Sequence, residues 1–454
     1  MSIPLSKGQE IEIEILDLGD GGEGIGRIDG FTVFVKGGIP GDIVKTFIMK
    51  VKKSYAIGSL KEVIKPSEHR VEAPCPDFFR CGGCQTQTIA YAEQLKIKED
   101  TLKSALDRIG GFKYYDIEPI IGMDEPYYYR NKSQYPVEHS KAGIKVGYYK
   151  RNSHDVVNIK SCMLQKPDND LIMDIFRNFL NEFKIPVYSE KNHKGLVRHL
   201  MIRNSFDSGN VMVVIVMNGR KLPSQEILIA RLLESGVRIA SVIINVNKEK
   251  TNRILGRKNV GIYGDEKITD KIGDLTFEIS PLSFFQVNNL QAGHLYKKAL
   301  EYADLKGDER VFDLYSGIGT ISLSLAKHAK EVIGVEVVEE AVEDANTNAK
   351  LNNIENVKFH LGKAEDIVPE LYAKGIKADV VVVDPPRKGC EEELLNTIIK
   401  MKPSKVVYVS CKPSTLARDL KILCENGFKL VKVQPVDMFP QTTHVETVAL
   451  LKRG

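Results

Sequence analysis

Long apolar runs are missing from this chain. The longest, Val211–Met217, falls far short of the roughly 20 residues that cross a bilayer. The opening residues, Met1-Ser2-Ile3-Pro4-Leu5-Ser6-Lys7, carry no signal-peptide apolar region. The expectation is therefore a cytoplasmic protein with no membrane partner. Internal repeats and low-complexity segments are absent as well. So is a strong charge of either sign: 64 Lys and Arg stand against 60 Asp and Glu, a net +4. Global charge consequently says little about partners, and local charge must be read instead. Seven cysteines in 454 residues, with no secretory signal, argue against a disulfide framework. What remains is a globular composition, 43% hydrophobic and 27% charged, long enough for two to four domains with ordinary cores. Nothing in it demands more than a monomer.

The C-terminal third carries the most pointed signals. Lys405-Val-Val-Tyr-Val-Ser410 reads as a buried strand that ends at Cys411, with a helical pattern from Ser414 onward. A thiol between a strand's carboxyl end and a helix amino terminus sits where the helix dipole favours thiolate. In an open α/β sheet, ligands also bind at the carboxyl ends of strands. That placement suggests a nucleophile. Upstream, Arg310-Val-Phe-Asp313-Leu-Tyr315-Ser-Gly317-Ile-Gly319-Thr320 is a strand, a Gly-rich turn and the start of a helix. The next strand ends in Glu336, an acid placed to bind a ribose diol. A dinucleotide fingerprint would want a third glycine where Ser322 stands. The departure argues against a pyrophosphate ligand and for S-adenosylmethionine, which has none. A third apolar run ends in Asp384-Pro385-Pro386-Arg387-Lys388-Gly389, a carboxylate followed by a rigid turn.

Taken together with Phe284-Phe285-Gln286-Val287-Asn288 and His444-Val445-Glu446-Thr447, these segments resemble the RNA uracil-5-methyltransferases, and within them the large-subunit (23S) ribosomal RNA branch. The resemblance covers nearly the whole chain. It implies Gln286, Tyr315, Glu336 and Asp384 as contacts to S-adenosylmethionine, Cys411 as nucleophile and Glu446 as base. Uracil C5 is a poor nucleophile, and thiolate addition at C6 converts the ring to an enolate that can take a methyl group. Elimination then requires loss of the C5 proton. Lys412 stands where many relatives carry Asn; it or Arg387 could favour the thiolate. Cytosine-5 enzymes place a cysteine directly after the Asp-Pro turn, and amino-group enzymes an aromatic residue. Here those positions hold Pro386 and Arg387. Cys390 and Cys424 read as structural or incidental thiols.

Four further cysteines have a separate logic. Cys75, Cys81 and Cys84 share a Pro- and Gly-rich loop, and Cys162 lies far downstream. Four converging thiolates suggest tetrahedral zinc or an iron–sulfur cluster, which spacing alone does not separate. The resemblance implies a [4Fe-4S] cluster, with a structural or RNA-binding role rather than one in methyl transfer.

Residues 1–66 alternate with period two between Gly-rich turns, as in a small β-barrel. From Ile43 to Lys65 six lysines face one acid, Glu62, a stripe that could track phosphates. This part resembles the TRAM module, an OB-like RNA-binding barrel. Residues 67–289 form the expected middle α+β domain, with a helix over residues 91–108. Tyr127 to Lys132 interleaves aromatics and cations, marking Arg130 and Lys132 for RNA contact, with His199 a weaker candidate. Residues 290–454 are expected to form a class I methyltransferase, Rossmann-like sheet, so the fold class is α/β. The expected function is C5 methylation of a uridine in 23S ribosomal RNA. The alternatives are the same chemistry on tRNA, or a noncatalytic RNA-binding factor.

Overall fold

The N-terminal alternation builds a six-stranded sheet from β1 (Glu10–Glu14), β2 (Asp17–Leu18), β3 (Glu23–Ile28), β4 (Phe31–Lys36), β5 (Ile43–Val51) and β6 (Tyr55–Lys65), in the order β1-β5-β6-β4-β3-β2. In this computed structural model, which describes residues 4–454, the sheet curls into a half-barrel around Ile13, Ile15, Val33, Val35, Val44 and Ile48. Two glycines on β3 allow the curl. A Cβ on Gly24 would stand 2.7 Å from Ile15 Cγ2, and one on Gly26 2.5 Å from the Glu14 carbonyl oxygen. Only a bare backbone lets β3 cross β1 so closely. Residues 1–3, part of the segment read for a leader, lie outside the described residues. Among the described residues no helix is long and apolar enough to cross a membrane.

The expected helix is α1 (Tyr91–Ala105), continued by one π turn through Gly110. It leads into β7 (Asp116–Ile117). A seven-stranded mixed sheet follows, from β8 (Lys132–Ser140), β9 (Gly143–Tyr149), β10 (Val156–Asn158), α2 (Asp168–Glu182), β11 (Val197–Asn204), β12 (Val211–Met217), α3 (Gln225–Glu234), β13 (Ile239–Val246) and β14 (Lys258–Gly264). Its order is β10-β9-β8-β11-β12-β13-β14. The apolar run of the sequence is β12, buried along its whole length. One face packs on α2 and α3 through Phe176, Phe179, Leu228 and Leu232. The other joins Met201, Met212 and Val214 to the C-terminal core. A strand covered on both faces loses the need to alternate.

That double cover also corrects the expectation for His199: β11 is buried throughout, and His199 is only 6% exposed. Burial pushes the His199 imidazole down to about 4, so it is neutral and turned away from solvent at physiological pH. Lys132 is likewise pushed down to about 7, by burial first and then by Arg203 and Arg130. Arg130 packs over the Tyr129 and Phe439 rings, 5.8 and 5.9 Å from their centroids.

A hairpin of β15 (Ile268–Ile272) and β16 (Leu275–Ile279) and the helix α4 (Asn289–Ala303) lead into the C-terminal layer. There β17 (Arg310–Leu314), α5 (Thr320–Ala326), β18 (Glu331–Glu336), α6 (Glu339–Leu351), β19 (Val357–Leu361), α7 (Ala364–Ala373), β20 (Val380–Val383), α8 (Glu392–Met401), β21 (Lys405–Ser410), α9 (Pro413–Glu425), β22 (Phe428–Val436) and β23 (Glu446–Arg453) alternate strand and helix. The sheet order is β19-β18-β17-β20-β21-β23-β22-β7. Strands β17 to β21 are parallel, and β23 runs antiparallel between β21 and β22. This is the expected class I methyltransferase sheet. Successive β17 residues feed opposite cores, Val311 on one side and Phe312 and Leu314 on the other. Chain order reverses between β17 and β20, which opens a crevice at their carboxyl ends.

The small strand β7, although far upstream, pairs in parallel with β22 and extends this sheet. Lys98 of α1 reaches Asp437 in a fully buried ion pair and donates to the Phe439 carbonyl at 3.1 Å. Tyr91 Oη donates to Asp437 at 2.7 Å. These contacts fix the segment between β22 and β23, and removing one partner of such a buried pair costs roughly 3–5 kcal/mol.

Candidate active site

At the switch point the strand ends surround a cleft of about 1250 Å³. Gln286, Tyr315, Glu336, Asp384, Cys411 and Glu446 all line it, so the fold brings together every residue singled out for cofactor binding and catalysis. Each arrives from a different element. Tyr315 and Gly317 follow β17, Glu336 closes β18, Asp384 follows β20, Cys411 follows β21 and Glu446 opens β23.

The first turn is strained in a specific way. Tyr315 (φ 70°), Gly317 (φ 55°) and Gly319 (φ 87°) all lie in the left-handed region, which costs a bulky residue such as Tyr on the order of 1–3 kcal/mol. A Cβ at Gly319 would meet the Phe359 ring at 3.0 Å. The turn's backbone is aimed at Glu336, whose Oε2 accepts from the Gly317 amide at 3.0 Å. Its Oε1 accepts from the Val337 and Val338 amides at 2.8 and 2.9 Å. Three amides therefore hold one carboxylate at the mouth of the turn. Below it, Asp313 is buried, accepts from the Ser322 hydroxyl and is pushed up to about 7, chiefly by burial. Ser322, the departure from the dinucleotide pattern, thus serves a buried carboxyl inside the fold.

The opposite wall is electrostatically tense. Burial alone pushes Asp384 up to about 6. Burial and then the Asp384 charge push Glu446 up to about 8, while Arg387 pulls it back. Cys411 sits between β21 and Lys412, the N-cap of α9, where the sequence places it. Its thiol is nevertheless pushed up to about 11, by burial and then by Glu446 and Asp384. Desolvation and two neighbouring carboxylates outweigh the helix terminus, so the resting group is a thiol. Arg387 is the cation acting on it, and its Nη2 lies 3.3 Å from His444 Nε2.

Gln286 is held through its backbone. Asn131 Nδ2 donates to the Gln286 carbonyl at 2.8 Å, and the Asn131 amide donates to Val287 at 2.8 Å. Asn288 caps α4 by accepting from the Gln291 amide at 3.2 Å, and donates to Met438. Phe284, from the motif around Gln286, is 64% exposed at the rim, while the lining residues Tyr296 and Phe439 carried no sequence signal. Tyr296 sits mid-helix in an ordinary apolar pattern. Phe439 belongs to a loop with no motif of its own. Cys390 is buried beneath the Pro-Pro turn, its amide donating to Asp419 at 2.8 Å, as a structural thiol should be.

The metal expectation does not survive. Cys75, Cys81, Cys84 and Cys162 line a separate cavity of about 150 Å³ with Phe78, Tyr148 and Leu164. Among the described residues, however, no group of three or more His, Cys, Asp or Glu side chains is placed to hold a metal ion. Burial pushes Cys84 up to about 12 and Cys162 up to about 11. Cys81 Sγ accepts from the Gly83 amide at 3.3 Å. Neither the [4Fe-4S] cluster nor zinc is supported.

Comparison with known proteins agrees with this geometry. Residues 90–454 match the tRNA (Uracil-5-)-methyltransferase family and residues 4–61 the TRAM domain. A protein of Clostridium tetani (strain Massachusetts / E88) described as an uncharacterized RNA methyltransferase is 51% identical over 99% of this chain and 97% of its own length. A Bacillus cereus (strain ATCC 14579) protein of the same description is 46% identical over 100% and 99%. The crystal structure of Pyrococcus abyssi tRNA (uracil-54, C5)-methyltransferase in complex with S-adenosyl-L-homocysteine superposes with a TM-score of 0.78 at 28% identity, covering 97% of this chain and 100% of that one. A TRAM half-barrel ahead of a class I sheet, with a cleft at its switch point, is thus joined to a match over most of the chain: this protein belongs to the tRNA (uracil-5-)-methyltransferase family of RNA-methylating enzymes.

Proposed function

We propose that the cleft methylates C5 of a uridine in tRNA, with Cys411 as nucleophile and Glu446 as the base that removes the C5 proton. The observation that carries this reading is the meeting of Cys411, Asp384, Glu446 and Arg387 in one cleft, coupled closely enough that each carboxylate shifts the thiol. S-adenosylmethionine, the family's methyl donor, supplies the electrophilic methyl group and a positive charge when bound. The residues fit it. Glu336 presents a carboxylate already fixed by three amides to a ribose diol. The left-handed turn lets backbone approach closely, and Asp384 has no hydrogen-bonding side-chain partner among the described residues. Gln286 and Tyr315 complete that wall.

Toward the uracil, the chain's own groups divide the work. Cys411 gives its proton to solvent water in the cleft and its thiolate bonds to C6, and the electrons of the C5–C6 double bond move onto the O4 side of the ring. After methylation the C5 proton passes to the Glu446 carboxylate, and the C6–sulfur bond breaks to restore the ring. A carboxylate whose acid form persists to about 8 is a stronger base than an ordinary one. Arg387 opposes the charge that gathers on Cys411 and Glu446. Phe284 at the rim offers a face on which a base can stack.

The choice of tRNA rests on the family and on the Pyrococcus abyssi enzyme, whose named substrate is uracil-54 of tRNA. Because that enzyme matches 97% of this chain, possession of the N-terminal half-barrel is compatible with a tRNA acceptor, in place of the 23S ribosomal RNA expected from sequence. The proposed division of labour keeps the three regions: residues 1–66 for RNA binding, 67–289 for support of the cleft, 290–454 for chemistry. The test is methyl transfer from labelled S-adenosylmethionine to unmodified tRNA and ribosomal RNA in parallel, with nucleosides identified by mass spectrometry. Labelled 5-methyluridine in tRNA is expected. Label in ribosomal RNA alone overturns the acceptor but keeps the chemistry, and label in neither overturns both.

A further inference from the structure

A second crevice, of about 360 Å³, lies between the half-barrel and the loop of residues 75–88. Lys36, Ser59 and Leu60 line it from the barrel side, and Phe79, Gln85 and Arg151 from the other. Phe79 is 66% exposed, and one edge rests on Phe78 at a centroid distance of 5.0 Å and 71°. A ring braced on one side and bare on the other is a stacking platform with no intramolecular occupant. The Oε1 of Gln85 is buried without a hydrogen-bond partner, an acceptor in want of an N–H. Arg151 is fixed by its bonds to the Gly21 and Cys84 carbonyls at 3.2 and 3.0 Å. Neither Arg151 nor Lys36 has a salt-bridge partner among the described residues. Glu23, opposite Lys36 in the ladder, points its carboxylate toward Gly21.

The crevice is also tied to the cleft. The Gln85 amide donates to the Gln441 carbonyl at 2.9 Å, and the Thr443 hydroxyl donates to the Asp20 carbonyl at 2.6 Å. The segment joined to both sides of the crevice then runs directly into Glu446. Resting on the RNA reading above, we infer that this crevice holds one unpaired nucleotide flanking the target. Its base stacks on Phe79 and donates to Gln85, and its phosphate lies toward Lys36 and Arg151. Flipping a base from a stack leaves its neighbours unstacked, and a second base site beside the cleft would hold one of them.

The test uses the full chain and a fluorescein-labelled 12-nucleotide oligouridine, with a fully paired RNA duplex of equal length as control. Phe79→Ala should weaken oligouridine binding about tenfold, the scale of one lost base–aromatic stack, and leave duplex binding and S-adenosylmethionine binding unchanged. Phe79→Tyr, which keeps the ring face, should restore it. An oligomer carrying 5-iodouridine should photocross-link to the peptide containing Phe79. Wild-type oligouridine affinity in Phe79→Ala, with cross-links confined to the cleft, overturns the crevice site alone. Failure of the unaltered chain to bind either RNA overturns the RNA reading along with it.

Discussion

Cys411 and the four thiols at Cys75, Cys81, Cys84 and Cys162 are the same functional group in two settings. Burial raises the acid form of all of them. Around Cys411 the remaining influences are ionic, from Glu446, Asp384 and Arg387, and the space in front is a cleft of about 1250 Å³. Around Cys84 and Cys162 the walls mix Phe78, Tyr148, Ile159 and Leu164 with Asp77 and Arg130, and the cavity is only about 150 Å³. A thiol becomes a working nucleophile when groups that can move its proton share a substrate-sized space with it. Clustering along the sequence does not by itself supply that, nor does it assemble a metal site.

The largest expected effect that could break this contrast is on turnover. Cys411→Ala should lower methyl transfer by on the order of 10⁴-fold or more with RNA binding retained, whereas Cys84→Ala should leave the rate per folded molecule unchanged. Comparable losses in both variants, measured on protein matched for folded fraction by circular dichroism, would erase the distinction. Next comes Glu446→Gln, expected to slow turnover by roughly 10²–10⁴-fold. Because this variant blocks only the proton-removal step, a covalent protein–RNA adduct through Cys411 should accumulate and be visible on a denaturing gel. A slow variant with no adduct would place Glu446 before bond formation instead.

The smallest effect sharpens the electrostatic half. The rate of iodoacetamide alkylation, followed peptide by peptide across pH, should rise for Cys411 toward a midpoint of about 11 and for Cys84 toward about 12. Glu446 raises the Cys411 value, so Glu446→Gln should move that midpoint down. Arg387 lowers it, so Arg387→Ala should move it up. Cys84 should respond to neither. A Cys411 midpoint indifferent to both substitutions would mean that burial alone sets it.

Much of the cleft was legible because its residues sit at strand ends, and strand ends announce themselves. Asp384 before Pro-Pro, Glu336 after an apolar run and Cys411 before a helix pattern each mark a carboxyl terminus of a parallel strand. In a doubly wound parallel sheet those termini share one edge. The half-barrel was legible from its period-two alternation, although the curl depends on Gly24 and Gly26 meeting β1. The middle region was read less well. In β11 and β12, burial on both faces removed the alternation that distinguishes inside from outside, so the buried His199 passed for an RNA-facing residue.

By itself, then, the sequence determined the order of strand and helix in the C-terminal layer, the identity of the groups at its strand ends and the family to which they belong. Local periodicity and turn chemistry act over a few residues, and a sequence displays them directly. Tertiary structure alone decided that Lys98 would neutralise Asp437, that β7 would extend the final sheet and that Asn131 would hold Gln286. It also decided that Cys411 would rest as a thiol, and that no group placed to hold a metal ion would form among the described residues. Those outcomes depend on desolvation and on charges brought together across hundreds of residues, and both come into being only when the chain has folded.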